Sequence, residues 1–470
     1  MSNKRKIEEL ISEITNEEVN NRDAAHNKSK ETAKEKIEAL LDEKSFVEIE
    51  PLYNRGIIAG YGSINGRPVC IYAQDIINDN GALTVANVKK IIKTFDMAVK
   101  VGCPVISILE NLRINVEENL DVLNEISKLI EKQVSVSGVI PQIAILFDSV
   151  IGGMAYSVAL NDFVYTVKKQ EVSATLEKVK KFNNSNYKAD DKNDIISFEF
   201  ETKAECFNDV RRLLEYIPAN NLADTEIYDV DLNKMSYNLN ELMSGNFDVR
   251  SVINEIVDIE FLEIKSDLNN QEVIGLSRIG GRTIGLVANQ CFETSGSLDS
   301  NSFNKIGRFV RFCDAFNLPI VTLINAKGYD LKANSDIINA GSRLMYAYAE
   351  ATVPKINVLI GDAFGSMYIA LGNIGKDITY AWPNVNMGVL KTETLVSIKD
   401  SQNISNNNTR NEKIEEYKNN NEDVLNALNK GYIDDIIEPA TTRQRIISAL
   451  ELFINKRENR PVKKHGNIPF

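Results

Sequence analysis

INGRPVCIYAQ at residues 64–74 and IGGRTIGLVAN at residues 279–289 are one segment written twice. Working outward, FVEIEP at 46–51 matches FLEIKS at 261–266, and NGALT at 80–84 matches SGSLD at 295–299. KVGCPVISIL at 100–109 then matches AFNLPIVTLI at 315–324. Every pair is displaced by 215 residues without a gap, which keeps Gly66 in register with Gly281, Arg67 with Arg282 and Pro104 with Pro319. Similar composition alone does not hold a register over such a length, so the chain is an internal duplication.

Each copy carries the same local signals. GIIAGYGSI and RPVCIYAQ flank Asn65-Gly66, a pair suited to a two-residue hairpin turn. VANVKKIIKTFDMAVKVG places Val88, Ile91, Ile92, Phe95 and Ala98 at helical spacing and stops at Gly102. CPVISIL is a short buried strand, DVLNEISKLIEKQ a second helix and PQIAILF another strand. Two strands and a helix, repeated, give an α/β chain of two homologous domains, placed at 1–245 and 246–470. The stretch from about 166 to 245 joins the copies, with RRLLEYI at 211–217 as an amphipathic helix. Residues 401–421 are polar and Asn-rich, and read as an exposed loop or frayed helix, whereas RQRIISALELFINKREN is a final helix.

Composition excludes several functions. A formal net charge of −12 argues against a nucleic-acid surface. No run reaches the roughly 18–20 apolar residues of a membrane span, and the charged N-terminus has no signal-like apolar stretch, so a soluble cytoplasmic protein is expected. The five cysteines are scattered without a CxxC pair and read as reduced, buried small hydrophobes, not a zinc or disulfide framework; no metal is expected. Only His26 and His465 are present, one near each end, which removes a histidine triad or a histidine base from the body of either copy. Chemistry here must rest on positioned dipoles and backbone N–H groups.

Both copies offer such a place. AILFDSV leads into Ile151-Gly152-Gly153-Met154-Ala155, and NVLIGDA leads into Phe364-Gly365-Ser366-Met367-Tyr368. A glycine at a strand-to-helix step lets a ligand approach the backbone, and N–H groups at a helix start lack intrahelical partners. They could stabilise the oxyanion formed when a thioester becomes an enolate. The competing reading is that these glycines only let a helix pack tightly on a strand. Glu117-Glu118 and Asp434-Asp435 read as solvated or capping carboxylates, and the sole tryptophan, Trp382, reads from sequence alone as core.

On these residues the chain resembles the carboxyltransferase (beta) subunits of biotin-dependent acyl-CoA carboxylases and decarboxylases, the propionyl-CoA carboxylase type. The resemblance covers most of the chain and is most specific in YGSINGRPVCIYAQD (61–75), IGGMAYSVALNDF (151–163), GGRTIGLVANQ (280–290), LMYAYAEATVPK (344–355), TYAWP (379–383) and GYIDDIIEP (431–439). It implies a duplicated crotonase-like (ClpP/crotonase) ββα superhelix. It also implies an acyl-CoA substrate held by Gly152 and Gly153, and the ureido group of carboxybiotin held by Gly365, Ser366 and Met367. Arg113, Gly328, Tyr329, Ile369, Tyr380 and Trp382 become the cofactor-contacting candidates. The partners implied are a biotin carboxyl carrier protein and a biotin carboxylase or decarboxylase subunit, in a homo- or hetero-hexamer.

Departures from the family pattern sit near the steps. The family's glycine-rich D-S-G-G-A-R loop is here Glu110-Asn111-Leu112-Arg113, and V-D-V-P-G-F is Ile324-Asn325-Ala326-Lys327-Gly328-Tyr329. G-G-A-Y-D is Gly365-Ser366-Met367-Tyr368-Ile369, and the M-G-x-x-G element gives way to Leu390-Lys391-Thr392-Glu393-Thr394. A lost oxyanion donor typically costs about 10²–10³ in rate. The alternative expectation is therefore a catalytically degenerate structural partner of an acyl-CoA carboxylase or decarboxylase. A hydratase or hydrolase of the crotonase type is a weaker third.

Overall fold

Asn65 and Gly66 both adopt positive φ, +51° and +75°, which only a primed two-residue turn requires, and Ile64 pairs directly with Arg67 across it. That hairpin seeds the first sheet of a computed structural model. The structure describes residues 31–51, 56–77, 82–110, 113–115, 117–168, 170, 172–173, 195–243, 247–264, 271–290, 298–326, 336–399, 407–421 and 424–469. Two compact units divide it, Met1–Ala223 and Asp224–Phe470.

In the first unit seven strands lie side by side in chain order: β1 (Val47–Glu48), β2 (Ile57–Ile64), β3 (Arg67–Gln74), β4 (Val105–Leu109), β5 (Gln142–Leu146), β6 (Phe163–Val167) and β7 (Phe198–Phe200). The first two pairings are antiparallel and the rest parallel. Helices α1 (Ala33–Leu40), α2 (Val85–Val101), α3 (Asn119–Val136), α4 (Gly153–Ala159) and α5 (Lys203–Tyr216) accompany the sheet. Strands β4 and β5 are buried along their whole length, as parallel strands covered on both faces must be. On α2, Val88, Ile91, Phe95 and Ala98 are buried as their spacing predicts, and Ile92 is partly covered.

The second unit repeats this order with β8 (Leu262–Ile264), β9 (Glu272–Ile279), β10 (Arg282–Asn289), β11 (Ile320–Ala326), β12 (Lys355–Phe364), β13 (Ile378–Ala381) and β14 (Asp435–Ile436). Its helices used below are α6 (Val249–Ile256), α7 (Ser300–Ala315), α8 (Ile337–Glu350), α9 (Gly365–Tyr368), α10 (Asn407–Asn421), α11 (Val424–Asn429) and α12 (Thr442–Phe453).

The duplication extends to single atoms. A Cβ on Gly60 would lie 2.2 Å from the carbonyl oxygen of Val47, and one on Gly275 would lie 2.2 Å from that of Leu262, so both strands need glycine where the edge strand crosses. Thr84 caps α2 by accepting from the Asn87 N–H, and Asp299 caps α7 by accepting from the Ser302 N–H. After those helices Gly102 and Asn317 take the left-handed conformation, at φ +71° and +56°. Asn is the common substitute for Gly there, which is why the match survives a change of residue.

The compact units part at Ala223 and Asp224, so the expected boundary at 245 falls inside the second unit. There Tyr228 N–H donates to Gly281 O (3.0 Å), and Arg443 donates to Asp231 O (2.8 Å). Asn407–Asn421 forms a helix, one of the two forms expected of that polar stretch. The final helix stops at Phe453, short of Asn459, because the following basic residues are drawn elsewhere: Lys456 pairs with Asp377 at 2.7 Å, and Arg460 donates to Ala351 O at the end of α8. The carboxylate readings hold, since Glu118 accepts from the Val85 N–H at the start of α2 and Asp434 accepts from the Thr379 N–H. Cys70, Cys103, Cys206 and Cys313 are free and buried; Cys291 lies outside the described residues.

Candidate functional site

In parallel sheets ligands meet the carboxyl ends of the strands, and in both units a matched polar clasp stands there. Gln74, ending β3, accepts the Glu110 N–H through its side-chain amide (3.2 Å); Asn289, ending β10, accepts the Asn325 N–H (2.9 Å). These pairs share the 215-residue displacement. In the first unit Glu110 is ion-paired to Lys36 of α1, which is 5% exposed and sits 5.2 Å over the Phe147 ring. Lys36 therefore packs against the ends of both β4 and β5.

The first glycine step follows directly. A short strand, Val150–Ile151, runs into Gly152, the N-cap of α4, at φ +85° and ψ −149°. That region is open essentially to glycine alone. A Cβ added to Gly152 or to Gly153 would meet no described atom within 4 Å. Among the described residues, then, no neighbour needs the space that glycine leaves at this pair. Tyr156, one turn along α4, is 61% exposed.

The second step follows β12. Gly365 is at φ +61°, and a Cβ on it would come 3.3 Å from the carbonyl oxygen of Val389. It opens onto a pocket of about 380 Å³, into which Ser366, Tyr368, Ile369 and Val389 also face. After Tyr368 the helix widens into a π turn over Ile369–Asn373, a form often found at functional sites. Burial raises the Tyr368 hydroxyl above its ordinary pKa, and the neighbouring Tyr432 and Asp434 add to the shift, so it remains a neutral donor.

The candidates divide accordingly. Gly365, Ser366 and Ile369 come together at the second pocket, and Gly152 with Gly153 forms the first step. Met367 is fully buried, so its side chain belongs to the core and only its backbone remains near the step. Trp382 is also fully buried, its indole N–H donating to Thr442 Oγ1 (2.9 Å), which leaves no surface to meet a cofactor. Tyr380 is 6% exposed on β13, and burial raises its pKa. Neither aromatic lines the pocket. Arg113 pairs with Ala82 through its backbone, while Gly328 and Tyr329 lie outside the described residues. Sequence reasoning missed the far wall, Asn426, Ala427, Lys430 and Tyr432, whose only signal was the nearby GYIDDIIEP motif. Among the described residues no group of three or more His, Cys, Asp or Glu could hold a metal, and no helix is long and apolar enough to cross a membrane.

The profile of the Carboxyl transferase domain matches residues 24–468. The chain belongs to that family. Among carboxyl transferase relatives, the propionyl-CoA carboxylase beta chain of Saccharopolyspora erythraea is 32% identical over 94% of this chain and 91% of its own length. The methylmalonyl-CoA decarboxylase subunit alpha of Veillonella parvula is 33% identical, covering 94% of both chains. The transcarboxylase 12S structure, a hexamer solved with methylmalonyl-coenzyme A and methylmalonic acid bound, superposes with a TM-score of 0.93 at 32% identity over 99% of this chain and 98% of that one. The duplicated fold of this carboxyl transferase is accordingly crotonase-like.

Proposed function

We propose that this chain is the carboxyltransferase subunit of a biotin-dependent acyl-CoA carboxylase or decarboxylase, moving a carboxyl group between carboxybiotin on a separate carrier protein and a short acyl-CoA. The observation that carries the reading is the pair of glycines, Gly152 and Gly365, held at positive φ where a strand in each unit gives way to a helix. Relatives named for both directions of this exchange support it.

In this reading the N–H groups at the Gly152-Gly153 step hold the thioester oxygen as it gains charge, lowering the barrier to forming a carbanion beside the carbonyl. Those at Gly365-Ser366 hold the ureido oxygen of biotin. The second pocket suits a small ring, with its glycine cradle on one side and Ile369 and Val389 as apolar walls. When bound, biotin would carry the carboxyl group, giving it up as carboxybiotin or taking it on as the bare ring. With His26 and His465 the only histidines, one near each end, no imidazole base is expected: the backbone N–H donors stabilise the oxyanions, and the α-proton would pass to the ureido oxygen of the bound ligand. The expected partners are a biotin carboxyl carrier protein and a carboxylase or decarboxylase subunit, and the expected assembly is a cytoplasmic hexamer like the one described for transcarboxylase 12S.

Isothermal titration with propionyl-CoA and acetyl-CoA, alongside a light-scattering mass, tests the acyl-CoA half. Micromolar binding by a hexamer is expected. A well-folded oligomer that binds neither thioester would overturn the reading for the isolated chain.

A further inference from the structure

The second pocket has an asymmetry of charge that backbone donors do not explain. Among the described residues lining it, Lys430 is the only charged side chain. The chain carries 66 acidic against 54 basic residues, so a lining that is cationic and free of acid runs against its overall balance. Nearby carboxylates are engaged elsewhere: Asp434 accepts from the Thr379 N–H (2.7 Å), and Asp362 is held by Asn386 (3.1 Å) and Lys391 (3.8 Å). No described carboxylate lies within ion-pair distance of Lys430. The backbone around it is fixed, since Lys430 N–H donates to Asn426 O at the end of α11 (3.2 Å) and Gly431 then turns the chain at φ +71°. The same pocket is lined by Ser366, at the glycine step, and Tyr368, a neutral hydroxyl.

We propose that Lys430 is a specificity-determining residue of this pocket, its ammonium pairing with a carboxylate on the bound ligand. The inference rests on the carboxyltransferase reading, in which that carboxylate is the group in transit. Lys430 then distinguishes carboxylated biotin from the bare ring, which presents no anion. The apolar walls sharpen the contrast, because they offer a carboxylate no other cation. Lysine acts here as a flexible point charge, so arginine should substitute for it in part.

The test measures initial rates of the full chain with the biotinylated carrier in both directions, for wild type, Lys430→Met and Lys430→Arg. For a solvent-reachable ion pair, Lys430→Met should raise KM for the carboxylated carrier about fivefold, with KM for the bare carrier shifted less than twofold. The difference should shrink as salt is raised, and Lys430→Arg should recover most of it. Equal changes in both directions, no change, or a salt-independent change would overturn the assignment while leaving carboxyl transfer standing. Absence of any transfer by the wild type would instead overturn the carboxyltransferase reading and this one with it.

Discussion

Gly153→Ala separates a ligand step from a packing step more sharply than any other single substitution. Gly153 is the first residue of α4, its φ lies outside the left-handed region, and a Cβ there meets no described atom within 4 Å. Among the described residues the new methyl group therefore meets neither strain nor clash. Replacing Gly by Ala at a compatible position removes freedom from the unfolded chain and gains about 0.4–1 kcal/mol. For a unit of this size that is a rise of roughly 1–4 °C in Tm. The new methyl group, however, stands in the open space beside the N–H donors. If the thioester approaches there, displacing it from one donor costs about 10²–10³ in transfer rate. Urea unfolding and carboxyl transfer on the same preparation provide the assay. Unchanged or increased stability with at least a tenfold loss of acyl-CoA affinity or transfer is expected. A variant that is equally stable and fully active would refute the placement of the ligand, and one that is strongly destabilised would refute the absence of packing at that site.

Gly365→Ala should differ in kind: at φ +61° with Val389 O at 3.3 Å, it should lose about 1 kcal/mol of stability as well as transfer activity, read by the same two assays. Arg443→Met should cost about 3–5 kcal/mol in urea unfolding, because Arg443 and Asp258 are 2% and 3% exposed as side chains and the substitution strands the carboxylate. Lys355, 1% exposed, has its pKa lowered to about 8, first by burial and then by Lys456. Between about pH 8 and the unfolded value near 10.4 the unfolded chain holds the proton that the native chain has released, so this residue's penalty is relieved as pH rises. A pH series of unfolding free energies should show that rise in wild type and a flatter profile in Lys355→Met. Trp382→Phe should lose about 1 kcal/mol with its bond to Thr442 and leave propionyl-CoA affinity unchanged by titration calorimetry.

The duplication was legible because hairpin turns, caps and crossings constrain residue type at fixed spacing. Asn65-Gly66 and Gly280-Gly281, Thr84 and Asp299, and Gly60 and Gly275 each satisfy a local demand that a single sequence displays. The glycine steps were legible for the same reason, and the open space that the described residues leave around Gly152 and Gly153 favours ligand approach over packing. What sequence did not separate was which side of a step each residue faces. Met367 and Ile369 are neighbours on a helix that changes period, and one is enclosed while the other lines the pocket. Trp382 carried the same ambiguity until its indole was found bonded to Thr442. Lys430 and Tyr432 were beyond reach, since their place beside Ser366 arises from tertiary packing of α11 and has no local pattern. For Asn407–Asn421 the sequence leaves loop and frayed helix open, because its composition lacks an apolar stripe, the main signal for a packed helix.

The most direct measurement is transfer of isotope-labelled carboxyl from methylmalonyl-CoA to a biotinylated carrier protein by the purified chain, followed by mass and label on the carrier. Label on the carrier that depends on biotin and falls at least tenfold in Gly153→Ala is the predicted result. A folded hexamer that binds acyl-CoA yet moves no label, with carrier and thioester both in excess, would contradict the account and leave the chain a structural partner of an active relative.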